Sequence, residues 1–173
     1  MSERTKTLHG ALVAVGELGV LITGEPGIGK SDCALQLLAD GHALVADDVV
    51  EIEVEQGKVF GKAPERFVGI LVVYGLGPID VRDVFGQESF RERTQIDLCI
   101  ELSKFGEDDP LAGIASTSVF GMVLPAYRLS FARSRNLGVL VLSAVSLFTS
   151  AKGRGATKRL MDDHDDAMSP LLI

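Results

Sequence analysis

Short apolar runs separated by turn-forming residues dominate the first third of the chain. Residues 12–15 and 20–23 are two such runs, and the Gly-Glu-Leu-Gly segment between them predicts that they pair as a β-hairpin. Residues 43–46 are uniformly apolar, which predicts a buried strand. Residues 49–55 alternate apolar and acidic side chains, a pattern typical of a strand with one face in solvent. This part of the chain therefore predicts a sheet.

One amphipathic segment interrupts these strands. In residues 31–40 the apolar side chains fall on one side of a helix, and Gly41 ends it. Further core strands are predicted at residues 96–102 and 139–142, and residues 67–73 predict a buried strand or a short helix followed by a strand. Residues 142–152 predict a helix, and residues 104–118, rich in Gly, Asp, Pro and Ser, predict a surface loop.

The stretch between the second apolar run and the helix matches the phosphate-binding pattern G-x-x-x-x-G-K-[ST] in full. It consists of Gly24, Glu25, Pro26, Gly27, Ile28, Gly29, Lys30 and Ser31. Glycines allow successive backbone N–H groups to face phosphate oxygens, and the N-terminus of the following helix attracts negative charge. In such a P-loop the lysine reaches the β- and γ-phosphates, and the hydroxyl group helps to hold Mg²⁺. The sequence therefore predicts a nucleoside triphosphate site.

Two adjacent carboxylates, Asp47 and Asp48, follow the apolar strand at residues 43–46. In P-loop enzymes an acidic residue at a strand end is placed to reach Mg²⁺ or the nucleophile. Since side chains alternate in direction along a strand, we expect one carboxylate to support the metal and the other to face the acceptor hydroxyl. A polar strand end that leads into a turn explains the pair equally well on its own. Beside a complete P-loop, the functional interpretation is favoured.

Composition narrows the functional classes. The chain has 173 residues and a formal net charge of −7. That charge argues against a nucleic acid partner, because such binding needs a basic face. Cys33 and Cys99 lie in apolar segments and are expected to be buried, reduced thiols. The longest apolar run, residues 137–148, is too short to cross a bilayer. We therefore expect one domain over residues 1–173, in the cytoplasm and without a membrane partner.

Further motifs stand in a fixed order around the P-loop. They are His9-Gly10, D-G-H-A-L-V-A-D-D at 40–48, G-K-A-P-E at 61–65, G-L-G-P-I-D-V at 75–81, Phe85-Gly86 and Arg135-Asn136-Leu137. Together with the P-loop, they resemble the catalytic domain of the bacterial HPr kinase/phosphorylase family over nearly the full chain. The separate N-terminal domain of the longer family members is expected to be absent.

This resemblance implies a protein-serine kinase that uses ATP and Mg²⁺. In the family, ATP or pyrophosphate phosphorylates a serine of the small phosphocarrier protein HPr, and inorganic phosphate drives the reverse phosphorolysis. The implied fold is an α/β P-loop core related to phosphoenolpyruvate carboxykinase, and members assemble as homo-hexamers. By position in the motifs, Asp48 is implied as the general base, Lys30 polarises the transferred phosphoryl group and Ser31 ligates Mg²⁺, with Asp47 as a further metal candidate. His9 also maps to a catalytic position.

Three departures from the family pattern bear on activity. Val72 stands where the family has a glutamate that ligates Mg²⁺, and Tyr74 replaces an arginine. The family's catalytic arginine falls near Pro110, where this chain has none. The segment tied to dephosphorylation keeps Arg135 and has a second arginine displaced to Arg133, and both are candidate contacts to phosphate or the acceptor. These losses affect the second metal contact and phosphorolysis rather than nucleotide binding.

Three functions therefore stay open. The first is an HPr-kinase-like phosphotransferase that acts on a protein serine, with its phosphorylase activity in doubt. The second is a nucleotide-binding regulatory module that has lost catalysis, which Val72 and the missing arginine favour. The third is a kinase with the same core and a different acceptor. ATP binding without transfer would distinguish the second from the other two.

Overall fold

The computed structural model describes residues 6–104, 114–131 and 136–150, together with residues 155 and 159. In chain order the strands and α-helices are β1 (Lys6–His9), β2 (Ala11–Val15), β3 (Leu18–Gly24), α1 (Lys30–Ala39), β4 (Ala43–Ala46), β5 (Val49–Glu55), β6 (Lys58–Lys62), β7 (Ile70–Val73), β8 (Gly77–Asp80), α2 (Val81–Phe85), β9 (Arg93–Lys104), β10 (Ile114–Val119), β11 (Met122–Phe131) and α3 (Leu137–Thr149). Short 3₁₀ turns lie at Glu65–Phe67 and Gln87–Ser89. None of the helices in these ranges is long and apolar enough to span a bilayer.

Within the described ranges, the strands form a nine-stranded mixed sheet and a separate hairpin of β7 and β8. The sheet runs β1-β5-β6-β9-β3-β2-β4, and β11 with β10 is attached through β9. Strand β9 pairs in parallel with both β3 and β11, and its first residues pair antiparallel with β6. The carboxyl ends of β3, β9 and β11 therefore lie at one edge, which is where open α/β sheets bind ligands.

The sheet is buried on both faces at its centre, which explains why its strands are uniformly apolar. Side chains alternate along β2 and β3, so Val13 and Ile22 face one side while Leu12 and Leu21 face the other. The first side packs against α1, α3 and β7, and the second packs against β5 and β6. All four side chains are essentially inaccessible to solvent, and each such burial contributes about 1.5–3 kcal/mol to folding.

Helices α1 and α3 are held together by a close contact. The Gln36 side-chain carbonyl accepts a 2.6 Å hydrogen bond from the Gly138 backbone N–H. A Cβ atom at position 138 would lie 2.8 Å from Cβ of Gln36, so this approach requires glycine. The Asn136 side chain accepts a hydrogen bond from Val139 N–H and so caps the start of α3. The helix that follows the P-loop is thereby fixed against a second helix.

The α/β prediction is confirmed, whereas some element predictions are wrong. Residues 139–142, predicted as a strand, belong to α3, because a continuous apolar run does not distinguish a buried strand from a buried helix. Part of the predicted 104–118 loop is strand β10, which pairs with β11, a strand that the pattern did not indicate. Residues 105–113 lie outside the described residues. Of the two forms predicted for residues 67–73, the structure shows the short helix followed by a strand: a 3₁₀ turn ends at Phe67 and β7 begins at Ile70.

Candidate nucleotide-binding site

Glycine is required at three positions in the turn between β3 and α1. Gly24, Gly27 and Gly29 have φ angles of 144°, 77° and 111°, which residues with a Cβ atom rarely adopt. A Cβ at Gly24 would in addition lie 2.6 Å from the carbonyl oxygen of Leu102. No side chain caps the first turn of α1, which is described in full, so its N–H groups remain available to an anion. The turn thus forms a cradle for phosphate.

Lys30, the first residue of α1, folds back over this cradle. Its Nζ atom donates hydrogen bonds to the carbonyl oxygens of Gly24 and Glu25, at 2.9 and 3.0 Å. These neutral acceptors are weaker partners for an ammonium group than phosphate oxygens are. Lys30 is therefore placed to exchange them for the phosphates of a nucleotide.

Asp47 and Ser31 form a buried pair beside the cradle. The Ser31 hydroxyl contacts both carboxylate oxygens of Asp47, at 2.9 and 3.0 Å, and Val72 N–H donates a longer bond of 3.4 Å. Asp47 is only 6% exposed, and this burial raises the pKa of its carboxyl group, although the bonds from Ser31 and Val72 act in the opposite direction. A hydroxyl and a carboxylate together supply two of the oxygen ligands that Mg²⁺ prefers.

The donor set fits a metal ion that is shared with a nucleotide. Among the described residues, no group of three or more His, Cys, Asp or Glu side chains could hold a metal by itself. Magnesium usually keeps several waters and combines one or two carboxylates with substrate phosphates. Ser31 and Asp47, next to the phosphate cradle, suit that mode of binding.

Asp48 points away from this pair. The strand β4 ends at Ala46, and a 2.8 Å hydrogen bond from Val49 N–H to the Asp47 carbonyl closes a three-residue turn around Asp48, whose φ is 65°. The two aspartates follow the strand as predicted, but strand alternation is not what separates their directions; the left-handed residue Asp48 does so instead. Asp48 is exposed, and its Oδ1 lies 3.8 Å from Nδ1 of His9, which is also exposed.

An open cleft of about 540 Å³ brings these groups together. It is lined by the P-loop and the start of α1, by both aspartates and by Val72 and Tyr74 of the β7–β8 hairpin. The Val72 side chain is half exposed and the Tyr74 side chain almost fully exposed, at 97%. The predicted contacts Arg133 and Arg135 lie outside the described residues. Sequence reasoning missed the Val72 backbone contact to Asp47, since no side-chain pattern signals it.

The fold and this site define a P-loop protein with a candidate phosphate-binding site: a glycine-rich turn, a lysine and a hydroxyl–carboxylate pair meet at the carboxyl edge of parallel strands. The family model for the HPr Serine kinase C-terminal domain matches residues 1–164. The chain belongs to this family, which confirms the resemblance read from its motifs.

Individual relatives agree with the family assignment. An HPr kinase/phosphorylase of Streptococcus thermophilus is 34% identical over 98% of this chain and 56% of its own length. One from Bordetella petrii is 42% identical over 82% of this chain and 47% of its own length. A solved structure, of the Hpr(Ser) kinase/phosphatase from Coxiella burnetii, matches with a TM-score of 0.74 and 31% identity, covering 82% of this chain and 94% of that one. The chain spans about half the length of the curated relatives it matches.

Proposed function

We propose that this chain is an ATP-dependent protein-serine kinase that transfers the γ-phosphoryl group to a serine of HPr or an HPr-like phosphocarrier protein. Membership of the HPr Serine kinase C-terminal domain family supports the reaction class, and the names of the relatives support the acceptor. The observation that carries the proposal is the separation of the two carboxylates. Asp47 is buried against Ser31, whereas Asp48 is exposed in the cleft beside His9.

Each residue then has a separate task. ATP is the phosphoryl donor, and Ser31 and Asp47 are the residues that would hold a Mg²⁺ ion, which would neutralise part of the phosphate charge. Lys30 contacts the phosphate oxygens and stabilises the negative charge of the transition state, which is the main requirement of phosphoryl transfer. Asp48 accepts the proton of the serine hydroxyl as the serine oxygen bonds to the γ-phosphorus, the bond from that phosphorus to the bridging oxygen breaks and ADP leaves. His9 orients the Asp48 carboxylate.

The setting of this activity is part of the proposal. We place the kinase in the cytoplasm, as a single catalytic domain over residues 1–173 that assembles as a homo-hexamer. The reverse phosphorolysis is weaker than in the family, because inorganic phosphate adds negative charge. The departure at Val72 removes a ligand of the Mg²⁺ that would offset this charge, and the departure near Pro110 removes an arginine that would do so directly.

The test is incubation of the pure protein with γ-labelled ATP, Mg²⁺ and purified HPr, followed by analysis of labelled serine. Asp48→Asn keeps the size of the side chain and removes the base, so we expect transfer to fall about 10²–10⁴-fold while ATP binding changes little. Lys30→Ala is the matched site variant that should lose nucleotide binding as well. Transfer by Asp48→Asn at the rate of the unmodified protein would exclude Asp48 as the base.

Two other functions have specific support. Val72 places an aliphatic side chain in the cleft next to Asp47, which favours a nucleotide-binding regulatory module without catalysis. Tyr74, exposed at the rim where the family has an arginine, favours a kinase for a different acceptor. ATP binding without label on any acceptor supports the first of these, and label on another protein while HPr stays unlabelled supports the second.

A further inference from the structure

Lys104 ends strand β9 at the edge of the sheet that carries the P-loop. In the parallel register Gly24 of β3 is paired with Leu102 of β9, so Lys104 lies two residues beyond the start of the P-loop. Side chains two apart on a strand share a face, and Leu102 packs into the cluster that contains α1 and α3. Lys104 therefore projects past the sheet on the side of the P-loop helix.

Its ammonium group contacts the P-loop itself. Lys104 Nζ lies 3.5 Å from Oε2 of Glu25, while Lys30 Nζ donates to the backbone carbonyl of the same Glu25 at 3.0 Å. Both lysines therefore contact the same residue, Lys30 at its backbone carbonyl and Lys104 at its side-chain carboxylate. The Lys104–Glu25 pair is long and both side chains are exposed, so it is weak and readily exchanged.

The side chains that line the cleft carry too little positive charge to offset a bound nucleoside triphosphate. Its lining contains one ammonium group, Lys30, and three carboxylates, Asp32, Asp47 and Asp48. A nucleoside triphosphate brings roughly four further negative charges, of which one Mg²⁺ offsets two. Within residues 6–104, 114–131 and 136–150, Lys104 is the cation besides Lys30 that contacts the P-loop.

We propose that Lys104 is a second phosphate-binding lysine, which leaves Glu25 when a nucleotide binds and contacts the terminal phosphate. The P-loop lysine reaches the β- and γ-phosphates, and in this chain Lys30 lies over Gly24 and Glu25, so this end of the loop is where the γ-phosphate belongs. A phosphate carrying nearly two charges is a stronger partner than the exposed Glu25 carboxylate. The inference rests on the proposed nucleotide site and adds a residue that distinguishes ATP from ADP.

Calorimetric titration with Mg²⁺-bound ADP and with the Mg²⁺-bound non-hydrolysable analogue AMP-PNP tests this role. In Lys104→Met we expect AMP-PNP affinity to fall about tenfold, which is 1.4 kcal/mol, and ADP affinity to change less than twofold. Lys104→Arg should retain the preference for the triphosphate. Lys58→Met, which removes an exposed lysine from the first position of β6, is the matched control and should change neither affinity.

Glu25→Gln separates phosphate binding from a purely structural role. If Lys104 binds phosphate, removing its competitor raises AMP-PNP affinity; if the pair only holds the loop in shape, Glu25→Gln weakens binding as Lys104→Met does. Equal losses for ADP and AMP-PNP in Lys104→Met, or no loss for either, would overturn the inference. Absence of nucleotide binding in the unmodified protein would instead refute the proposed function.

Discussion

Replacing Ser31 by alanine tests the buried pair at the centre of the site. Asp47 has one strong side-chain partner, the Ser31 hydroxyl at 2.9 and 3.0 Å, and one weak partner, Val72 N–H at 3.4 Å. Ser31→Ala leaves a carboxylate that is 6% exposed without its hydroxyl partner, and only the backbone groups of Val72 and Asp48 still stabilise it. A hydrogen bond to a charged group contributes about 1.5–3 kcal/mol, so we expect the free energy of unfolding to fall by that amount without Mg²⁺.

The assay combines unfolding with a metal titration. In a domain of this size such a loss lowers the melting temperature by roughly 3–12 °C. The same variant should require more Mg²⁺ for ATP binding, because one of two protein ligands is gone. Ser31→Thr keeps the hydroxyl group and satisfies the P-loop pattern, so it should resemble the unmodified protein in both measurements. A Ser31→Ala protein with an unchanged melting temperature and an unchanged Mg²⁺ dependence would refute the role of Ser31 and Asp47 as a hydrogen-bonded, metal-binding pair.

Two further predictions concern the metal contact and the thiols. Val72→Glu adds a carboxylate to the cleft beside Asp47 and should lower the Mg²⁺ concentration needed for ATP binding about five- to tenfold. Val72→Gln is the uncharged control. An equal effect of both substitutions would show that charge is not the cause. Burial raises the pKa of Cys33 and of Cys99 to about 12 each. A disulfide reagent at pH 8 should therefore modify neither thiol in the native protein and both thiols in urea. Rapid labelling of the native protein would contradict the packing of α1 and β9.

The sequence predicted those parts of the site that lie close together along the chain. The P-loop, the hairpin before it and the helix after it are local, and glycine spacing and apolar periodicity specify them without distant contacts. The proximity of Asp47 to Ser31 could also be expected, because β4 follows α1 directly in the chain. The different roles expected for the two aspartates rested on strand alternation, whereas the structure separates them by a left-handed turn at Asp48.

Contacts that depend on distant pairing could not be predicted in this way. The pairing of β11 with β9 joins segments whose own patterns do not identify a partner, so β11 was missed. The position of Lys104 could not be predicted for the same reason, since only the register of β9 against β3 places this residue at the P-loop. The strand prediction for residues 139–142 is wrong because a uniformly apolar run has neither a helical nor a strand periodicity. The Asn136 cap and the contact of Gln36 with Gly138 favour a helix there.

The central position of β9 has a consequence for how the protein acquires its site during synthesis. Gly19 N–H donates to the carboxylate of Asp97, 78 residues farther along the chain, and Gly24 packs against Leu102. Closing so long a loop is costly before the strands pair, and non-local pairing slows folding. A nascent chain that ends at residue 90 already carries the whole glycine-rich motif and both aspartates, yet one side of β3 has no neighbour. We therefore expect the growing polypeptide to bind a nucleotide only after β9 has left the ribosome.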